Sequence, residues 1–101
     1  MSYRYETHMH TCQGSACGVS TGAEQARFYK EMGYDGIFIT DHFTGGNTAV
    51  PRDMPWRERI DRFCSGYEEA LAVGQRIGLC CPLARGDGAS LVYTLKSSDE
   101  A

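Results

Sequence analysis

Residues 3–8 alternate in a way that suits a strand, with Tyr3, Tyr5 and Thr7 on one face and Arg4, Glu6 and His8 on the other. A period of two is strand patterning, and Tyr and Thr favour extended backbone. The pattern then lapses, and residues 11–20, rich in Thr, Gln, Ser and Gly, read as a loop. Thr21 followed by Glu24 predicts a helix opened by a capping box. Ala23, Ala26, Tyr29 and Met32 recur at helical spacing, and Gly33 offers the left-handed residue that stops the helix. After Gly36 comes the short apolar run Ile37-Phe38-Ile39-Thr40, a buried strand by its length. The connection between the two strands is long enough for a parallel crossover.

Residues 43–55 form a second loop, and the helical period returns strongly from Trp56 to Ile77. Trp56, Ile60, Phe63, Cys64, Tyr67, Leu71 and Ile77 fall on one stripe, with Arg57, Arg59, Asp61, Arg62, Glu68 and Glu69 elsewhere. Pro55 suits the first turn and Gly78 the end. Gly66 and Gly74 inside this helix each cost about 1 kcal/mol relative to Ala, and they mark either close packing or a break. Leu79-Cys80-Cys81 begins like a third strand, but Pro82 removes a ladder donor. Residues 84–90 read as a turn, Leu91 to Leu95 as a strand, and the tail as frayed.

The length, 101 residues, sets the scale at one domain, too short for a complete eight-stranded α/β barrel of roughly 250 residues. With 42% hydrophobic and 23% charged residues the chain has a globular balance. A net charge of −3 argues against a nucleic-acid partner held by phosphate neutralisation. No apolar run approaches the ~20 residues of a membrane span, and the N-terminus lacks a secretory pattern, so the expectation is a cytoplasmic protein with no membrane partner. The five cysteines are an odd count, which points to reduced thiols. A zinc knuckle would want two close cysteine pairs, and only Cys12 and Cys17 make one, because adjacent Cys80 and Cys81 point to opposite sides if extended.

All three histidines stand where a strand ends. His8 and His10, two apart on extended backbone, project to the same face, which is half of a divalent-metal site. His42 ends the second strand after Thr40-Asp41. If the two strands are parallel neighbours, both ends open on one rim, where α/β folds place their sites.

Tyr5-Glu6-Thr7-His8-Met9-His10-Thr11 resembles the first motif of the polymerase and histidinol phosphatase (PHP) family, a His-x-His at the first strand end. Gly33-Tyr34-Asp35-Gly36-Ile37-Phe38-Ile39-Thr40-Asp41-His42 resembles its second, an apolar strand closed by Thr-Asp-His. The likeness covers residues 3 to about 79 and is specific in the first 42. It implies an α/β chain forming the incomplete N-terminal portion of a distorted (β/α)7 TIM-like barrel, with 1–79 matching the family and 80–101 a divergent or truncated tail. It implies His8, His10 and His42 as ligands of Zn, Mn or Fe, with Asp41 orienting a ligand. The activity implied is hydrolysis of a small phosphomonoester by a metal-bridged hydroxide. Arg52 and Arg57 are the weaker candidates for holding the phosphate.

Three departures qualify the likeness. Many members place an Asp or His ligand beside a Gly in the loop after the first motif; here Cys17 precedes Gly18, and it is either a substitute ligand or a small buried side chain. Where the family's third strand ends in a bridging Glu, residues 79–88 offer only Asp87. The later His and Asp-x-His motifs are missing. The alternative expectation is therefore a catalytically inactive remnant, or a small metal-binding module that completes its sheet with a partner. An exposed sheet edge leaves a homo-oligomer open.

Overall fold

The computed structural model describes residues 2–42 and 46–82. Asp87 and the expected strand at 91–95 lie outside the described residues. The elements run β1 (Tyr5–Glu6), α1 (Gly22–Glu31), β2 (Gly36–Ile37) and α2 (Trp56–Ile77).

The two strands pair in parallel, with Tyr5 opposite Gly36 and Glu6 opposite Ile37. Cys80 pairs with the other side of Gly36, also in parallel, so β2 lies between the first strand and the start of a third. Ile37 N donates to Cys80 O and Cys80 N to Asp35 O, both at 2.9 Å. The named strands are much shorter than the alternation at 3–8 predicts. The reason lies in the next bonds of the ladder. Phe38 N donates to Glu6 O at 2.8 Å, and Thr40 N donates to Met9 O at 2.7 Å. Two residues on the second strand thus face three on the first, and residues 7–8 bulge out. The Glu6 carboxylate accepts from His8 N at 3.3 Å within the bulge. Thr40 Oγ1 closes the far side, accepting from Met9 N at 3.1 Å and donating to Met9 O at 3.2 Å.

α1 forms because its first turn is fully capped. Thr21 Oγ1 accepts from Glu24 N, and Glu24 Oε1 accepts from Thr21 N. The Thr21 backbone amide is the larger cause of the lowered Glu24 pKa. Two more amides are satisfied from outside: Gly22 N by Gln13 Oε1 and Ala23 N by Glu69 Oε1, each at 2.9 Å. At the far end Gly33 takes φ 88°, the left-handed turn that releases the chain into β2. α2 starts after Pro55 and ends at Gly78, φ 79°.

α1 packs on β2 and α2 packs on α1, with small residues at the contact. Ala26, Ala70, Val73, Ile37 and Ile39 form the centre of the core with Met9 and Leu79, and a second cluster joins Val50 to Ile60, Phe63 and Cys64. The glycines inside α2 mark close packing, and the helix is unbroken. A Cβ on Gly22 would strike the Gly66 carbonyl, and one on Gly66 would strike the Thr11 side chain. Two expected core residues are not in the core. Trp56 is 51% exposed and Met32 is 53% exposed. Trp56 is the first residue of α2 and Met32 caps the end of α1, so the helical period continues past the layer it packs on. Among the described residues no helix is long and apolar enough to cross a membrane.

Gly66→Ala separates packing from propensity. On an exposed helix the change gains up to about 1 kcal/mol. Here the added methyl must displace Thr11, and overpacking of this kind costs about 1–3 kcal/mol. The urea midpoint is expected to fall; a midpoint that rises would mean the two helices and Thr11 are not in contact.

Candidate metal centre

The ends of the two strands and the loop after β1 meet around one carboxylate. Asp41 is 2% exposed. Its Oδ1 accepts from Thr11 N at 2.6 Å and Ser15 Oγ at 2.8 Å, and its Oδ2 accepts from Thr11 Oγ1 at 2.7 Å. These bonds wrap the start of the loop around the end of the second strand. The wrap is tight: a Cβ on Gly14 would lie 2.6 Å from Asp41 Cγ, and one on Gly18 would meet the Thr11 carbonyl. Ser15 N and Gly14 N both donate to Thr11 O, and Gly18 N donates to Ser15 O at 3.0 Å, so the loop is a succession of turns. Its outer side is zipped to residues 47–49. Ala16 N donates to Asn47 O at 2.9 Å and Ala49 N to Gly14 O at 3.1 Å.

This scaffold brings His10, Cys17 and His42 together. Their ligand atoms all lie within 4.8 Å of one another. His10 Nδ1 and Cys17 Sγ are 3.0 Å apart, and the His10 and His42 ring centroids are 4.2 Å apart. His10 and His42 are half-buried, while Cys17 is exposed. The backbone carbonyl of His10 accepts from Gln25 Nε2 at 3.2 Å, which ties this position to α1.

The donor chemistry fits a borderline transition ion. Tetrahedral zinc, with bonds of about 2.1 Å to nitrogen and 2.3 Å to sulfur, spaces its donors ~3.5 Å apart. In the observed group one pair is 3.0 Å apart and all donors lie within 4.8 Å of one another. Two imidazoles and a thiolate suit Zn, Co or Fe far better than Mg or Ca, and three protein donors leave a coordination position open.

The expected site residues are distributed as follows. His10 and His42 are in the group, and so is Cys17, the loop residue weighed as a substitute ligand. His8 is exposed and lies outside it, with its ring centroid 4.9 Å from that of His10. The bulge at 7–8 is the physical reason, because it breaks the regular alternation between His8 and His10. Asp41 is placed behind the group rather than in it, with both oxygens engaged by Thr11 and Ser15. Arg52 and Arg57 are exposed, the first before α2 and the second in its first turn. Ser15 is the residue that sequence reasoning passed over: its hydroxyl donates to Asp41 and accepts from His42 N at 2.9 Å. A loop serine carries no periodicity, and its one signal is that it lies between the two histidine motifs.

No family model matches the chain, and neither the curated proteins nor the solved structures give a match.

The cysteines differ in a way that labelling reads out. Cys17 and Cys80 are exposed, whereas Cys64 and Cys81 are buried. Burial pushes the Cys81 thiol up to about 11. At pH 8 that leaves about one part in a thousand as thiolate, the reactive form. Iodoacetamide mapped by mass spectrometry is expected to label Cys17 and Cys80 first in the native protein. Labelling of Cys64 and Cys81 at the same rate would contradict the packing described.

Proposed function

We propose that this chain is a metal-dependent phosphoesterase of the PHP kind, acting on a small phosphomonoester. The observation that supports it is the convergence of His10, Cys17 and His42 from two strand ends and the loop between them. A divalent ion bound there, with Zn, Mn or Fe the candidates, supplies Lewis acidity toward a phosphate oxygen and a hydrolytic water. The chain's own residues do the rest. His10 and His42 hold the inner side and Cys17 the exposed side, so an anion approaches past Cys17. His8 lies outside the three-donor group, its ring 4.9 Å from that of His10, and is proposed as a further ligand on the family resemblance alone. Arg52 and Arg57 are the cations proposed for the remaining phosphate oxygens. Asp41 fixes the loop through Thr11 and Ser15, from behind the donor group.

The family resemblance extends this reading to a (β/α)7-type barrel of which these elements form the N-terminal portion. The parallel pairing of β1 with β2, and of Gly36 with Cys80, is compatible with it. We place the protein in the cytoplasm, because all five cysteines are free and a thiol in the metal group needs a reducing compartment. A second copy is the proposed partner for the outer edge of β1, which is flanked by exposed Tyr3 and Tyr5.

One observation favours the second reading, a metal-binding module without turnover. Among the described residues the group contains no carboxylate, and a two-metal hydrolytic centre uses one to bridge its ions.

Two measurements decide. Equilibrium dialysis is expected to show one zinc ion bound per chain, with affinity falling at least tenfold in Cys17→Ala and in His42→Ala. Aryl phosphate turnover in the presence of Zn²⁺ or Mn²⁺, lost in His42→Ala, supports the enzyme. Zinc binding with no turnover decides for the module. No zinc bound, with identical values in the variants, would contradict both.

A further inference from the structure

We infer that Ser15 is a positioning residue of the metal group: its hydroxyl holds the Cys17 loop against His42, and so decides whether sulfur joins the two imidazoles. The inference rests on the reading of His10, Cys17 and His42 as a metal site.

Ser15 is 1% exposed, and in the loop at 11–20 it is buried together with Thr11 and Gly14. A buried hydroxyl is retained only where its hydrogen bonds are made, and this one makes two of different kind. It donates to the Asp41 carboxylate at 2.8 Å and accepts from the His42 backbone amide at 2.9 Å. Asp41 and His42 are adjacent at the end of the second strand, so one hydroxyl grips that end at two points. Cys17 follows two residues later, after a turn closed by Gly18 N donating to Ser15 O. The path from His42 to the thiol is therefore short: backbone amide, Ser15 hydroxyl, one turn, Cys17 Sγ.

The other contacts of the loop act elsewhere: His10 Nδ1, 3.0 Å from Cys17 Sγ, ties the thiol to His10 and not to His42. Thr11 is bonded to Asp41, but it precedes the turn and is next to His10. Ala16 and Gly14 are zipped to residues 47–49, which fixes the loop's outer side and not its distance from His42. His10 reaches the site along the first strand without Ser15, through Met9 clamped by Thr40. Removing the Ser15 hydroxyl should therefore leave the two imidazoles in place and release the sulfur. Loss of such a supporting contact commonly weakens metal binding about 10–100-fold.

Cobalt(II) is the probe, because its visible bands report coordination and a near-ultraviolet charge-transfer band appears only when thiolate is bound. The full chain is titrated with cobalt alone. The parent is expected to show both features. Ser15→Ala is expected to keep visible bands from the imidazoles, lose most of the thiolate band, and bind cobalt 10–100-fold more weakly. Thr48→Val is the control. It removes the Thr48 hydroxyl, which donates to Gly14 O on the same loop at 3.2 Å and accepts from Val50 N at 3.1 Å, and it leaves the Ser15 hydroxyl with its bonds to Asp41 and His42, because Thr48 pairs with Ser15 through the backbone. It is expected to lower the melting temperature and leave the thiolate band intact. If Ser15→Ala loses its helical circular dichroism, Ser15→Gly and Ser15→Thr are read by the same bands: the first lacks the hydroxyl and is expected to lose the thiolate band, the second keeps the hydroxyl and is expected to retain it. A parent that binds no cobalt would overturn the metal-site reading itself. A parent with both features, and a thiolate band undiminished in Ser15→Ala or equally diminished in Thr48→Val, would overturn the role of Ser15 alone.

Discussion

The carboxylate of Asp41 sits at 2% exposure and accepts three hydrogen bonds, from Thr11 N, Thr11 Oγ1 and Ser15 Oγ. Burying an ionised carboxylate costs several kcal/mol unless its lone pairs are filled. Charge-assisted bonds to such a group are each worth about 1.5–3 kcal/mol, so the three together offset that cost. The loop at 11–18 is thus not free to choose its path. Thr11 must sit with its amide and hydroxyl on Asp41, which requires Gly66 to lack a side chain and Gly14 to pass against the carboxylate. Ser15 must reach the same carboxylate, which carries Cys17 to the end of the second strand. The candidate metal group is a consequence of how one buried charge is satisfied.

The rest of the fold supports that arrangement from behind. α1 is anchored at its first turn by Gln13 and Glu69, and Glu69 also accepts from Gln13 Nε2 at 3.0 Å. One end of the loop is thereby tied to both helices. α2 presents Gly66, Ala70 and Gly74 to its neighbours, and the backbones approach closely where those side chains are small or absent. Cys81 fits into the space Gly74 leaves, 3.0 Å from where its Cβ would be.

Much of this was legible in the residues, and what was not has identifiable causes. The capping box at Thr21 and Glu24, the left-handed glycines at 33 and 78, and the long period from Trp56 to Ile77 are local signals, and the helices stand where they point. The apolar stripe of α2 was less legible. Large side chains dominate periodicity, whereas the packed face is centred on Gly66, Ala70 and Gly74, which contribute little to it. Trp56 shows the reverse: large, in phase, and 51% exposed at the first turn, with Arg59 over its ring. At the site, the placement of His10 and His42 at strand ends follows from pattern alone. The bulge that sets His8 apart does not, because it depends on how Glu6 and Met9 pair with a strand thirty residues away. Ser15 and Cys17 are set by tertiary bonds to Asp41 and His42, and no local period encodes those.

X-ray absorption at the zinc edge of the zinc-loaded chain addresses the central claim, that a buried carboxylate draws a thiol and two imidazoles onto one ion. The account predicts one sulfur at about 2.3 Å and at least two nitrogens at about 2.0–2.1 Å in the first shell. A shell of nitrogen and oxygen with no sulfur would contradict it.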